Sequence, residues 1–506
     1  MSSDVAQVSE LVQKIALYCD QETRKTLLTS CRSFFDFVAP LIWRDIKGAE
    51  KLFLLISGAT SDPDGITLPS SISDAALERF KIYAPFVNHL ELFRGELSHY
   101  VLWNWKGLLD LATADPLLPN LLSLTVSSGT WLRDVRHPQL PLLLMFVSPS
   151  LIEYRISSNI TRQTTSVSRP QAVAVLSQLQ RRCPKLEVLE LYCCATPYSH
   201  DQELELIPQG YELSAYFRSS NLRSLSTSLA ILKDIGDLGL ISQIKCLEVL
   251  GPGDIQSVDE LSDFQTIEWP KLQQLTLYLI DGVETFFSFW QLASLVSALT
   301  SFGLHIGGAK SHQVDISVGR VVDTLAERSP KLTHLSLCRY PSVLPRGWLD
   351  PVPVATALSK LHIQNLHIEI GDPGLKIPWL GSYLSRHAFG SIQSIDAGSY
   401  RVQLEELGFF AQSMPRLQYL RIQVRVSVSG EETIGATSSS EALELCVCYI
   451  PFDVIEPNLT WEAASKYLLS LWPRMRLQLG RVVPAQYREW IDVFKRVQAQ
   501  RMQTIV

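Results

Sequence analysis

The chain has none of the short motifs that mark common catalytic chemistry. There is no Gly-x-x-x-x-Gly-Lys-Ser/Thr loop, no Gly-x-Ser-x-Gly, no His-Glu-x-x-His and no Cys-x-x-Cys pair. Nor is there a surplus of one charge: 45 basic and 51 acidic residues leave a net charge of −6, which gives no argument for nucleic acid or an anionic membrane. The strongest apolar run, Leu140 to Val147, is short and holds Pro141, so it is no membrane span. Met1 to Val8 shows no basic stretch leading into an apolar one, so no signal peptide is expected. The nine cysteines are odd in number and unpatterned, which fits reduced thiols and a cytoplasmic or nuclear location. Cys446-Val447-Cys448 lacks the second ligand pair of a zinc site. No catalytic residue, metal or cofactor is expected.

What the chain does have is a recurring pattern, apolar-x-x-apolar-x-apolar, often just after a proline. Its clearest copies are Leu186-x-x-Leu189-x-Leu191, Leu272-x-x-Leu275-x-Leu277, Leu332-x-x-Leu335-x-Leu337 and Leu417-x-x-Leu420-x-Ile422. Weaker copies begin at Val87, Leu121, Leu151, Leu222, Ile244, Leu299, Leu358, Ile392 and Ala442. Their mean period is about 30 residues, a repeat-array spacing. From unit position 4 the apolar residues alternate, as in a strand buried on one side. Asn159 and Cys194 fall at the ninth position of two units. In these features the chain resembles the leucine-rich-repeat family, with an irregular array. That resemblance implies an α/β fold, a solenoid (horseshoe) with a parallel inner sheet. Helical spacing before some strands, as at Val173, Leu176 and Leu179 or Val321, Val322 and Leu325, supports strand–helix units.

Unit positions 3, 5 and 7 should face the concave side. They include Glu153 and Arg155, then Val188, Glu190 and Tyr192, then Lys360, His362 and Gln364. Aromatic, histidine and arginine side chains there can supply much of the contact energy of a binding face. Tyr278, His305, His334, His362, Tyr419 and Arg421 are the candidate substrate-binding residues. The three histidines fall on consecutive expected strands but at unit positions 7, 3 and 5, a diagonal that need not converge, and no metal site is assigned to them.

Residues 8 to 47 read differently. Val8, Leu11, Val12, Ile15 and Cys19 form a helical apolar stripe. Asp20 can cap a second helix, in which Leu27, Leu28, Cys31 and Phe34 recur at helical spacing. The segments Cys31-Arg32-Ser33-Phe34 and Leu41-Ile42-Trp43-Arg44-Asp45-Ile46 resemble an F-box, although the usual Leu-Pro opening is Val8-Ser9 here. With the repeats, the chain resembles the F-box and leucine-rich-repeat proteins of fungi. The resemblance implies a substrate-recognition subunit of an SCF-type cullin–RING ubiquitin ligase. Leu11, Ile15, Leu28, Cys31, Phe34 and Trp43 would then include contacts to the Skp-family adaptor, and the repeats would hold a protein substrate. The alternative is a leucine-rich-repeat scaffold or sensor whose N-terminal helices only cap the first repeat.

The expected organisation is an F-box-like helical module over 1–50, the solenoid over 51–455 and a helical cap over 456–506. In the cap, Tyr487, Trp490, Ile491, Phe494 and Val497 form a helical stripe.

Overall fold

The structure is a computed structural model that describes all residues except 1, 31, 63–64, 94–99, 127–139, 157–165, 195–207, 209–212, 219, 229–230, 233–234, 236–237, 252–268, 280–295, 307–317, 340–357, 371–388, 426–442, 448–460, 480–487 and 506. The ninth-position Asn159 lies outside the described residues. The chain forms two compact units, Met1–Ile244 and Lys245–Val506.

The first unit opens with three helices, α1 Ser2–Tyr18, α2 Gln21–Ser30 and α3 Arg32–Trp43. Asp20 caps α2 as expected: its carboxylate accepts from the Thr23 N–H at 2.7 Å. There follow β1 Asp45–Lys47, α4 Glu50–Phe53, β2 Thr60–Asp62, β3 Gly65–Thr67, α5 Asp74–Tyr83, β4 His89–Glu91, β5 Val101–Trp103 and α6 Lys106–Ala114. Then come β6 Ser123–Val126, α7 Leu140–Met145, β7 Glu153–Ile156, β8 Ser166–Ser168, α8 Arg169–Arg182, β9 Val188–Cys194, α9 Leu213–Arg218 and β10 Ser224–Ser228. Strands β1, β4, β6, β7, β9 and β10 pair in that order, all parallel, and β8 adds to the far end of β9. A small separate sheet, β2-β3-β5, has no counterpart in the repeat pattern.

The second unit contains β11 Cys246–Gly251, β12 Gln274–Leu279, β13 Ser301–Ile306, α10 Val318–Arg328, β14 His334–Arg339, β15 Asn365–Ile370, β16 Ser394–Gln403 and α11 Leu407–Ser413. It ends with β17 Tyr419–Arg425, β18 Glu444–Val447, α12 Trp461–Leu471, β19 Arg476–Leu479 and α13 Arg488–Ile505. Its nine strands pair in chain order, again all parallel. Strand after strand along one direction, joined by a crossover each time, is the arrangement of a repeat stack. Each unit is thus a leucine-rich-repeat-like parallel sheet within a mixed α/β structure.

One apolar column holds each sheet together. In the first unit Ile46, Leu90, Leu124, Tyr154, Leu189 and Leu225 stand in register across adjacent strands. In the second, Leu247, Leu275, Phe302, Leu335, Leu366, Ile395, Leu420, Leu445 and Leu477 do the same. All but Ile46 and Leu477 are no more than about 2% exposed, so each buried side chain contributes roughly 1.5–3 kcal/mol. The Tyr154 hydroxyl reaches the buried side of the unit and donates to the Leu143 carbonyl of α7. The apolar run Leu140 to Val147 is therefore core, and no helix among the described residues is long and apolar enough to cross a membrane. A second device fixes register. At most steps two consecutive N–H groups share one carbonyl of the preceding unit, as when Gln273 and Gln274 both donate to Lys245 O.

That clamp corrects one unit. Gln364 and Asn365 donate to Thr333 O, and Leu366 pairs with Leu335. The repeat therefore starts at Ile363 and not at Leu358. His362 lies just before β15, and the strand presents Asn365, His367 and Glu369 in place of Lys360, His362 and Gln364. The sheet also runs one strand further at each end than the pattern indicated. Asn88 and His89 donate to Arg44 O, so β1, which overlaps the F-box-like Leu41–Ile46 segment, is itself the first repeat strand. At the other end β19 precedes the final helix. There α12 and α13 stack Trp461 on Trp490 at 5.2 Å, and Trp490 and Phe494 are buried along the expected stripe.

Candidate functional site

Along each strand the residues flanking the apolar column point to the opposite, open face. In the first unit these side chains line a cavity of about 450 Å³, formed by Asp45, Lys47, His89, Glu91, Ser123, Thr125, Arg155 and Glu190 together with Ile46 and Leu90. Neighbouring strands place opposite charges side by side, with Lys47 3.8 Å from Glu91 and His89 3.9 Å from Asp45, and along β7 Arg155 lies 3.3 Å from Glu153. Arg155 also approaches Glu190 at 3.9 Å. Glu190, expected to face solvent freely, is only 6% exposed, and its Oε1 has no hydrogen-bond partner among the described residues. It lies on β9 between β7 and β10, in register with Arg155 and Ser226. A buried carboxylate oxygen without a donor is a strong acceptor for a cationic or N–H-bearing group.

In the second unit the open face carries the expected Tyr278 and His305. Adjacent strands put them in register, and their rings stack at 4.3 Å with 17° between planes. His334 is exposed on β14, with its Nε2 2.8 Å from the Asn365 amide nitrogen. Tyr419 and Arg421 lie on β17, where Arg421 donates to Asp396 at 3.2 Å. Tyr278 on β12 and Tyr419 on β17 are five strands apart, about 24 Å. The substrate candidates thus form two patches, Tyr278 with His305 and Tyr419 with Arg421. His334 lies between them and His362 is off the strand.

A group the sequence pattern did not indicate sits next to His334. On β14 and β15, Ser336 is in register with His367 and Cys338 with Glu369. The ligand atoms of Cys338, His367 and Glu369 all lie within 4.8 Å of one another. The misplaced repeat concealed this cluster, because it moved His367 and Glu369 off the strand.

The N-terminal candidates divide as well. Leu11 and Ile15 on α1 are 58% and 46% exposed, and Leu17 is 53% exposed. Helix α2 has no buried residue, and Leu28 and Phe34 are half-buried. Trp43 packs internally: its ring stacks on Tyr83 of α5 at 4.5 Å, and Phe35 meets the same ring at 5.8 Å. Cys31 lies outside the described residues.

No family model matches the chain, and no curated protein sequence matches it. Among solved structures it is similar to an internalin from Listeria monocytogenes. The identity is 12%, the match covers 80% of this chain and 89% of that one, and the TM-score is 0.28.

Proposed function

We propose that this protein is a non-catalytic receptor, the substrate-recognition subunit of an SCF-type cullin–RING ubiquitin ligase acting in the cytoplasm or nucleus. Its N-terminal helices dock on a Skp-family adaptor, and the open faces of its sheets hold a protein substrate. The observation that supports the docking half is the exposed apolar stripe of α1. Leu11 and Ile15 share one helix face yet remain 58% and 46% exposed, whereas an apolar stripe of this kind usually faces a core. Their match to the F-box positions gives the partner. Among the described residues, Cys19, Cys183, Cys246 and Cys338 are free thiols, which fits a reducing compartment.

One observation favours a second reading, a repeat scaffold without ligase association. The ring contacts of Trp43 and Phe35 with Tyr83 tie α3 to the rest of the first unit, as a plain cap would be tied. Co-expression of the full chain with a Skp-family adaptor separates the two. Co-purification that is lost in Leu11→Glu/Ile15→Glu supports the receptor. No recovery, under conditions where a known F-box protein recovers the adaptor, leaves the scaffold.

A further inference from the structure

On the open face of the second unit, three different donor types meet on two adjacent strands. Cys338 Sγ lies 3.9 Å from His367 Nδ1, and His367 Nε2 lies 3.8 Å from Glu369 Oε2. The Ser336 hydroxyl is 3.2 Å from His367 Nδ1 and orients the ring. Cys338 is 3% exposed, while His367 and Glu369 are open to solvent. Among the described residues the ion-pair partner of Glu369 is His367.

We propose that Cys338, His367 and Glu369 bind a divalent transition metal, zinc(II) by preference. The donor set selects the ion. One sulfur, one imidazole nitrogen and one carboxylate oxygen suit zinc, whereas calcium and magnesium take oxygen ligands. Tetrahedral zinc with bonds of about 2.0–2.3 Å sets its donors roughly 3.3–3.6 Å apart. The cluster is already within 4.8 Å, so side-chain rotation closes the remaining gap. Thiolate and carboxylate together balance the two positive charges, and the fourth position faces solvent. Binding replaces the S–H bond by an S–metal bond and releases that proton to water.

The surroundings suit a cation. The Glu369 and Asp396 carboxylates both lie near the Cys338 thiol. A cation between them would be favoured by that negative charge. Asp396 itself is held by Arg421 at 3.2 Å, so it is an outer neighbour rather than a fourth ligand. The site does not depend on the ligase reading.

The test is titration of the reduced, chelator-stripped full chain with cobalt(II). We expect one cobalt per chain with a near-ultraviolet thiolate-to-cobalt absorption, bleached by zinc(II). Cys338→Ser should abolish that absorption, and His367→Gln and Glu369→Gln should weaken binding about tenfold or more. Circular dichroism checks that each variant is folded. Absence of the absorption in the folded wild type overturns the proposal. So does an undiminished absorption in Cys338→Ser, which would trace it to another of the nine cysteines. If Cys338→Ser fails to fold, His367→Gln decides, because its ring is solvent-facing, and unchanged cobalt affinity there overturns the site.

Discussion

Arg155 and Glu190 face each other across β7 and β9 at 3.9 Å, and they are unequally buried: the Glu190 side chain is 8% exposed and that of Arg155 is 40% exposed. The carboxylate therefore depends on the guanidinium more than the reverse. Removing one member of a buried pair leaves an uncompensated charge, although the partial exposure of Arg155 reduces that cost. Arg155→Ala should lower stability by about 1–3 kcal/mol. Adding Glu190→Gln to that variant should recover part of the loss, since a neutral amide needs no counter-charge. Denaturant melts of the two singles and the double measure the coupling. A wild-type melt for Arg155→Ala would show that the pair is irrelevant to folding.

The apolar column gives a second test. Leu189 is 1% exposed between Tyr154 and Leu225, and Leu366 is 2% exposed between Leu335 and Ile395. Leu189→Asp and Leu366→Asp should each cost about 3–5 kcal/mol, by cavity formation and a buried charge. His362→Asp, on an exposed residue outside the strand, should stay within about 0.5 kcal/mol of wild type. Thermal melts in the reverse order would restore the earlier register.

The error at that unit shows what the sequence pattern can and cannot define. Leu358-x-x-Leu361-x-Ile363 and Ile363-x-x-Leu366-x-Ile368 both satisfy the apolar pattern and share Ile363. Only the pairing partners of Leu366 and the clamp on Thr333 O select the second. Units whose pattern closely follows a proline, such as Pro270-Lys271-Leu272, are legible from sequence. The first strand is hidden because Trp43-x-x-Ile46 is followed by Gly48 where the pattern calls for a larger apolar residue. Burial on the open face is less legible still. Glu190 reads as solvent-facing, yet it is 6% exposed.

A pH effect follows from Glu405 and Glu406, just before α11. Burial pushes both carboxyls above the ordinary 4.5, against hydrogen bonding that lowers them, and Glu405 adds repulsion at Glu406. A carboxyl with a raised folded-state pKa binds its proton more tightly when folded. Its favourable contribution is therefore present below the unfolded value and lost as pH rises through the folded one. Glu405→Gln should raise the melting temperature at about pH 7 and change it little at about pH 4. An equal change at both would assign the effect to packing.

At the N-terminus, exposed and packed residues should respond differently. Leu11→Glu/Ile15→Glu replaces side chains already in water, so stability should change by no more than about 0.5 kcal/mol while partner binding is lost. Trp43→Ala removes a ring stacked on Tyr83 and should cost about 2–4 kcal/mol. If Leu11 and Ile15 prove as costly to fold as Trp43, the stripe is packed in solution and is no docking surface.

Substrate recognition makes the last demand on geometry. The Tyr278–His305 stack and the Tyr419–Arg421 pair lie on the same face of the second unit, with β14, β15 and β16 between β13 and β17. A substrate that touches both must span about 19 Å or more of sheet. An extended segment of about six residues is the minimum reach, so a folded surface or a long peptide qualifies and a small molecule does not. Tyr278→Ala removes aromatic area and frees the His305 ring, and Tyr419→Ala/Arg421→Ala removes the second anchor. Each should weaken a bound protein substrate, and the triple variant should weaken it more than either, with adaptor binding unchanged. Affinity measured by titration of the purified variants separates the cases. Loss confined to one patch would reduce the contact to that patch, and unchanged affinity in the triple variant would move recognition off this face altogether.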